Sequence, residues 1–323
     1  MVRIQESVLP DGETPWQGRR YFPISQYFKQ QFGEKTGKIS VSVAESCPNR
    51  QGIKGMDACI FCDEWGSAAY HLERENSLLE QIRNNRVHVQ RRLRAKKFLV
   101  YFQAYTNTLG HVAALRSRFE TALTEPYIAG LVVGTRPDCL PKRIFPLFQE
   151  VCDHSYLMVE LGVQSFFDEQ LEFLRRGHSA QCSIDAVYKL HEQTSANVGV
   201  HLMFGLPDET DEHIIKTAEQ VNSLPVDNVK LHNLHVLHKT PLADLYAQGR
   251  FKPLELEEYA RRVILFLRHL SPEVAVQRLA AVASRWAELV APQWTREKMQ
   301  PILYIEDLMA QAGYVQGDLY KGL

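Results

Sequence analysis

The sequence has no apolar run approaching the ~18 residues of a membrane span, and its first sixteen residues hold neither a continuous apolar stretch nor an Arg/Ser-rich amphipathic pattern. A cytoplasmic protein with no membrane partner is expected. Net charge is nearly absent too: 37 Lys and Arg against 38 Asp and Glu leave −1. Nothing in the overall balance draws the chain to nucleic acid, so any anion site must be local. No low-complexity linker interrupts the 323 residues, and no second cysteine triad accompanies the first. Cys139, Cys152 and Cys182 are scattered without a Cys-x-x-Cys pair, and buried thiols are expected there.

The other three of the six cysteines are crowded. Eleven residues separate Cys47 from Cys59 and two separate Cys59 from Cys62. In a cytosolic protein such a group points to metal ligation rather than to disulfides. Thiolates are soft ligands that suit iron-sulfur clusters and zinc, and Gly52 and Gly55 let the long loop wrap closely. Spacing alone leaves three readings open: a four-iron cube with one iron free of protein ligand, a structural zinc completed by a neighbour such as His71, and three unligated thiols.

Behind the triad, short β-rich runs alternate with helical patterns at roughly thirty-residue steps. The runs are 38–43, 98–103, 128–133, 156–160, 198–204 and 228–234. Six alternations predict a parallel sheet with right-handed crossovers. Polar or special residues stand past nearly every run, which favours a barrel with one mouth over a doubly wound sheet with a single switch point. The fold expected is an α/β partial (β/α)6 TIM-type barrel over 38–250, with a lead-in over 1–37. A helical extension over 251–323, around a possible short strand at 274–279, packs on it.

In this order the motifs Cys47-Pro-Asn-Arg to Cys59-Ile-Phe-Cys62, Phe102-Gln-Ala-Tyr-Thr-Asn-Thr108, Gly134-Thr-Arg-Pro-Asp138, Glu160-Leu-Gly-Val-Gln-Ser165, Arg176-Gly-His178 and His201-Leu-Met-Phe-Gly-Leu-Pro207 resemble the radical S-adenosylmethionine (SAM) superfamily. Within it the chain is similar to the YhcC-type family, related to the Elongator catalytic subunit and to oxygen-independent coproporphyrinogen oxidase. The superfamily's commonest triad has a much shorter first spacing, and the long loop is usual in this branch.

The resemblance implies that Cys47, Cys59 and Cys62 hold a [4Fe-4S] cluster whose free iron binds SAM. Reductive cleavage of SAM would then yield a 5′-deoxyadenosyl radical, with flavodoxin or ferredoxin as electron donor. It further implies a SAM cradle. Arg176 would meet the carboxylate through its guanidinium fork, while the exposed-looking Arg175 would not. Gln103, Tyr105, Thr106 and Asn107 would lie near the amino group, and Phe61, Leu206 and His235 near adenine. Glu160, Gln164, Ser165 and His201 complete the set. Glu160 closes an apolar strand, so it needs a partner, either SAM or a barrel cation.

Two features suggest an anionic substrate. Residues 83–97 carry seven Lys or Arg and no acid, and the sixth run ends in Lys230, His232, His235, His238 and Lys239. With Arg19, Arg20, Arg50, Lys54, Trp16 and Tyr21 expected near the triad, a structured RNA is one candidate. A tRNA wobble uridine is the substrate that the Elongator relationship implies. A small metabolite or a protein side chain under the same chemistry, and a zinc-stabilised protein without catalysis, are the alternatives.

Overall fold

The computed structural model describes Trp16 and residues 18–44, 47–53, 55, 58–63, 76–283 and 286–322; Lys54 and His71 lie outside them. After the helix α1 (Ile24–Phe32), six parallel strands are laid down side by side: β1 (Thr36–Val41), β2 (Lys97–Phe102), β3 (Ile128–Thr135), β4 (Tyr156–Gln164), β5 (Asn197–Phe204) and β6 (Asn228–Asn233). Parallel neighbours need long crossovers. These carry α2 (Leu78–Leu93), α3 (Val112–Leu123), α4 (Phe145–His154), the short α5 (Asp168–Phe173), α6 (Ala180–Gln193) and α7 (Asp211–Asn222). Local chemistry starts several of them. Ser77 and Glu80 form a reciprocal capping box on α2, and Ser179 Oγ accepts from Cys182 N at 3.2 Å on α6.

All six expected runs are strands of one sheet. The remainder of the chain holds β7 (Val236–Leu237), α8 (Pro241–Ala247), α9 (Leu256–His269), β8 (Ala275–Arg278), β9 (Leu289–Ala291) and α10 (Gln300–Ala312). Here the expected helical layer needs a correction. The run at 274–279 is β8, which pairs parallel with β6 through Asn228↔Ala275 and Val229↔Val276 and becomes the seventh strand of the barrel sheet. The cause is non-local, because β8 finds its partner across α8 and α9.

The sheet is curled into an open barrel. Lys38 on the edge strand β1 reaches inward to Glu160 on β4 and to Gln277 on the opposite edge strand β8, so the two edges face each other. Strand residues of one parity point outward. Val100, Phe102, Leu131, Val133, Val159 and Val200 pack there against Phe119, Phe148, Leu190 and Val263 of the helices. The other parity points in, where Leu99, Tyr101, Val132 and Met158 surround Phe28 of α1. Phe28 is 3% exposed, and burying such a ring contributes about 1.5–3 kcal/mol. The lower barrel is thus plugged by an aromatic helix, and the upper barrel is left for a site.

The same plug corrects the placement of the N-terminal aromatics. Trp16 and Tyr21 are buried, with Trp16 stacked on Phe22 at 6.2 Å and packed with Ala275, where β8 begins. They cover the end of the sheet opposite the cysteine loop. Arg19, paired with Glu306, and Arg20, bonded to Tyr314 O, belong to this end as well.

Candidate functional site

The cysteine loop leaves the C-terminal end of β1 and is tied down at several points. Ile60 N donates to Leu174 O at 3.3 Å, Leu242 N donates to Ile60 O at 3.0 Å, and Ile60 is buried with Leu174, Leu206 and Leu242. Asn49, 1% exposed, spans the gap by donating to Arg175 O at 2.7 Å and toward Cys59 Sγ at 3.6 Å. Two guanidinium groups also aim at sulfur: Arg176 Nη1 lies 3.3 Å from Cys59 Sγ, and Arg50 Nη2 lies 3.4 Å from Cys62 Sγ. Arg50 also donates to the carbonyls of Cys62 and Asp63. Arg50 therefore braces the loop, where the sequence suggested a substrate contact.

Cys47, Cys59 and Cys62 line one cavity of about 560 Å³. Burial pushes the Cys62 thiol up to about 11, with the Arg50 hydrogen bond pulling the other way. Three soft donors, two of them facing N–H groups, fit an anionic iron-sulfur centre, since such groups stabilise sulfur-borne negative charge. Arg176 Nε, buried and without a hydrogen-bond partner among the described residues, adds an unspent donor beside them.

Arg176 owes its position to β4. The pairing of β4 with β5 slips between Leu161 and Gln164, and Gln164 takes φ 71°, a left-handed conformation that a side chain tolerates at some cost. The opening admits the guanidinium, whose Nη2 donates to Gly162 O at 2.7 Å. A Cβ at Gly162 would stand 3.3 Å from that nitrogen, so glycine is what the approach needs. Below, Arg136 forms a bidentate pair with Asp138 at 2.9 and 3.0 Å and donates to Arg176 O. The Gly134-to-Asp138 motif is a buttress for Arg176. Arg175 is exposed, as expected.

Two residues before Gly162 on the same strand stands Glu160, which is fully buried. Lys38 Nζ lies 2.6 Å from one carboxylate oxygen; Tyr101 OH, His201 Nε2 and Lys230 Nζ lie 2.7, 2.6 and 3.1 Å from the other. Burial alone would raise this carboxyl, but the two ammonium groups hold it well below the usual carboxylate range. Burial pushes Lys230 down to about 7 and His201 down to about 4. Of the two partners foreseen for Glu160, the barrel cations are present.

Among the residues named from the sequence, Phe61, Gln103, Tyr105, Thr106, Glu160, Gln164, Arg176, His201 and His235 line the cavity with the cysteines. Tyr105 lies under Arg50, ring centre to guanidinium 5.8 Å, and Thr106 Oγ1 is buried without a partner among the described residues. Asn107, Ser165 and Leu206 are not on its surface. Asn107 Nδ2 is spent on Phe102 O and Gly134 O at 2.8 and 2.9 Å, binding the ends of β2 and β3. Ser165 bonds Gln170 and Phe167 N, and Leu206 fills the apolar cluster behind Ile60. Sequence reading missed Lys38, Tyr101 and Arg278. All three are polar residues at inward positions of strands, and Tyr101 lies on a strand otherwise buried on both faces, which was the available signal.

The basic stretch 83–97 divides. Arg83 pairs with Glu125 at 2.7 Å, Arg86 lies 4.2 Å over the Tyr127 ring and Lys97 caps Phe32 O. Arg91, Arg92 and Arg94 are exposed at the end of α2, next to the start of β2.

Residues 41–221 match the Radical SAM superfamily, and residues 226–311 match the Radical_SAM C-terminal domain. Protein YhcC of Escherichia coli (strain K12) is 36% identical over 289 residues, covering 89% of this chain and 91% of its own. The tRNA uridine(34) acetyltransferase of Methanocaldococcus jannaschii is 32% identical over 158 residues, 48% of this chain and 28% of that protein. Among solved structures, Elp3 of Methanocaldococcus infernus superposes with a TM-score of 0.64 at 18% identity, covering 87% of this chain and 64% of that one. That likeness is one of fold.

Proposed function

Since the chain belongs to the radical SAM superfamily, whose enzymes work with a [4Fe-4S] cluster and SAM, we propose that it modifies tRNA at a wobble uridine, with Cys47, Cys59 and Cys62 as the cluster ligands. With the cluster and SAM bound and one electron supplied by a reductant, the chemistry available would be cleavage of SAM to methionine and a 5′-deoxyadenosyl radical able to abstract hydrogen. The observation that carries the site reading is the guanidinium of Arg176 set between Cys59 Sγ and Gly162 O at the cavity wall. From there it can meet a carboxylate next to the cluster.

The rest of the cavity suits the remaining parts of SAM. Gln103, Tyr105 and Thr106 offer polar atoms to the amino group beyond β2, and the unpartnered Thr106 Oγ1 is the best placed of them. Phe61 supplies an apolar face for adenine, with His235 on the same lining. His201, kept neutral by burial, can exchange a hydrogen bond with ribose. Glu160 serves this set indirectly, by holding Lys38, Lys230, Tyr101 and His201 in place. The core over 38–250 would carry the chemistry, and 251–323 would close one side of it. A flavodoxin or ferredoxin in the cytoplasm is the electron donor proposed.

Support for tRNA comes from the uridine(34) acetyltransferase relative and from the exposed arginines of α2. The test is to incubate reduced enzyme and SAM with bulk tRNA from cells lacking the protein and to compare nucleosides by mass spectrometry. One altered uridine is expected. An unchanged nucleoside profile alongside SAM cleavage would point to a small metabolite or a protein side chain.

A further inference from the structure

The wall formed by β6 and β8 carries a positive charge that the protein leaves unneutralised. Glu160 is already matched by Lys38 and Lys230. Arg278 stands beside them, the cross-strand partner of Lys230, and it lines the same cavity. Its Nε donates to Leu231 O at 3.2 Å, and its two terminal nitrogens meet no acceptor among the described residues. Arg278 is half-buried and opens onto the cavity, so its charge faces the space a ligand would fill, whereas the buried Arg136 is paired with Asp138.

The neighbours of Arg278 are also arranged for an anion. His232 and His235 stack at 5.3 Å on the same wall, and His235 Nδ1 is buried without a partner among the described residues. Burial and the charge of Arg278 hold both imidazoles neutral, His235 down to about 4. His235 Nδ1 is then the donor available to an anion, since the His232 Nδ1 proton is spent on Asn233 O at 2.7 Å. Arg278 sits within the strand span at the level of Lys230, below the loop that carries the cysteines. It is therefore distinct from Arg176, which contacts Cys59.

We infer that Arg278, flanked by Lys230 and His232, anchors an anionic group of the substrate, a carboxylate or a phosphate, inside the barrel beneath the SAM site. The fork of a guanidinium accepts two oxygens of either group in one plane. The inference rests on the proposed reading only in placing substrate and SAM in one cavity. It narrows the substrate to a molecule that can bring a compact anion below the cluster, whether a nucleotide phosphate or a carboxylic acid.

The test is calorimetric titration of anaerobically reconstituted, SAM-loaded protein with inorganic phosphate and, separately, with succinate, repeated on the protein without cluster or SAM. At least one anion is expected to bind in both forms, and the tighter of the two identifies the group. In Arg278→Gln that binding should weaken roughly tenfold or more, with iron content and SAM affinity unchanged. Arg278→Lys, which keeps the charge and loses the fork, should fall between and covers the case in which Arg278→Gln does not fold. Arg176→Gln should lose SAM affinity and keep anion binding. Equal anion binding by wild type and both Arg278 variants, or no anion binding by either form of the wild type, would overturn the inference. Absence of cluster or SAM binding in the wild type would count against the function proposed above and leave the anion result standing.

Discussion

The guanidinium of Arg176 joins two separate pieces of the chain: Nη1 lies 3.3 Å from Cys59 Sγ, and Nη2 donates to the Gly162 carbonyl at 2.7 Å. The slipped end of β4 and the cysteine loop are therefore tied together by one side chain. Its replacement should be felt on both sides. Arg176→Gln is expected to weaken SAM binding by about ten- to a hundredfold, read by equilibrium dialysis under anaerobic conditions. Arg175→Gln, on the exposed neighbour, serves as the control, and a comparable loss there would refute the assignment.

Each of Cys47→Ser, Cys59→Ser and Cys62→Ser should reduce bound iron from about four per chain to a small fraction and remove SAM cleavage. Cys152→Ser and Cys182→Ser, outside the cavity, should retain full iron. Iron and sulfide assays on anaerobically purified protein decide this.

Glu160→Gln leaves Lys38 and Lys230 facing each other without a carboxylate. Breaking a buried charge set in this way costs about 3–5 kcal/mol, so the urea midpoint should drop markedly. The double change Glu160→Gln with Lys230→Met should recover part of the loss. A midpoint for Glu160→Gln within error of wild type would mean that the network is not stabilising.

Lys230 gives the pH dependence a sign. Burial lowers it from its ordinary 10.5 to about 7, so between those values the unfolded chain binds a proton that the folded chain does not. Stability contributed by this group should therefore rise with pH across that window, by up to about 1.4 kcal/mol per pH unit. Urea unfolding of wild type and Lys230→Met at several pH values checks it. The wild-type slope between about pH 7 and 9 should be the steeper one, and identical slopes would refute it.

If tRNA is the substrate, the exposed arginines of α2 should act through phosphates. The triple change of Arg91, Arg92 and Arg94 to Ala is expected to weaken tRNA retention and to flatten its dependence on salt. SAM cleavage without tRNA should stay unchanged. Retention that is independent of both salt and these residues would remove α2 from the interface.

The parts that could be read from the sequence are those that local pattern controls. The strand runs and the cysteine loop follow from short-range alternation and motif spacing, while the places of Arg175 and Arg176 were implied by the family resemblance. What escaped depended on closure. Arg278 and Gln277 sit on a four-residue strand whose value lies in meeting β6 and β1, and no window of sequence contains that meeting. Lys38 was visible only as the first residue of a run. Its role became clear when the curl placed it beside Glu160 and Gln277. Asn107 and Ser165 show a related ambiguity: a polar residue beyond a strand end can face the mouth or tie down the turn that forms it, and here both side chains do the second.

Lys38 also determines how the barrel shuts. β1 and β8 share no hydrogen-bond ladder, and among the described residues the polar link across this seam is the contact of one ammonium with Gln277. Such a latch is worth on the order of 1–3 kcal/mol, far less than a strand pairing. Beside it, Val276 N donates to Phe22 O at 2.7 Å, so this edge is closed by a side chain and by the lead-in to α1 rather than by a strand partner, and loss of Lys38 would loosen the seam without touching the six pairings of the sheet.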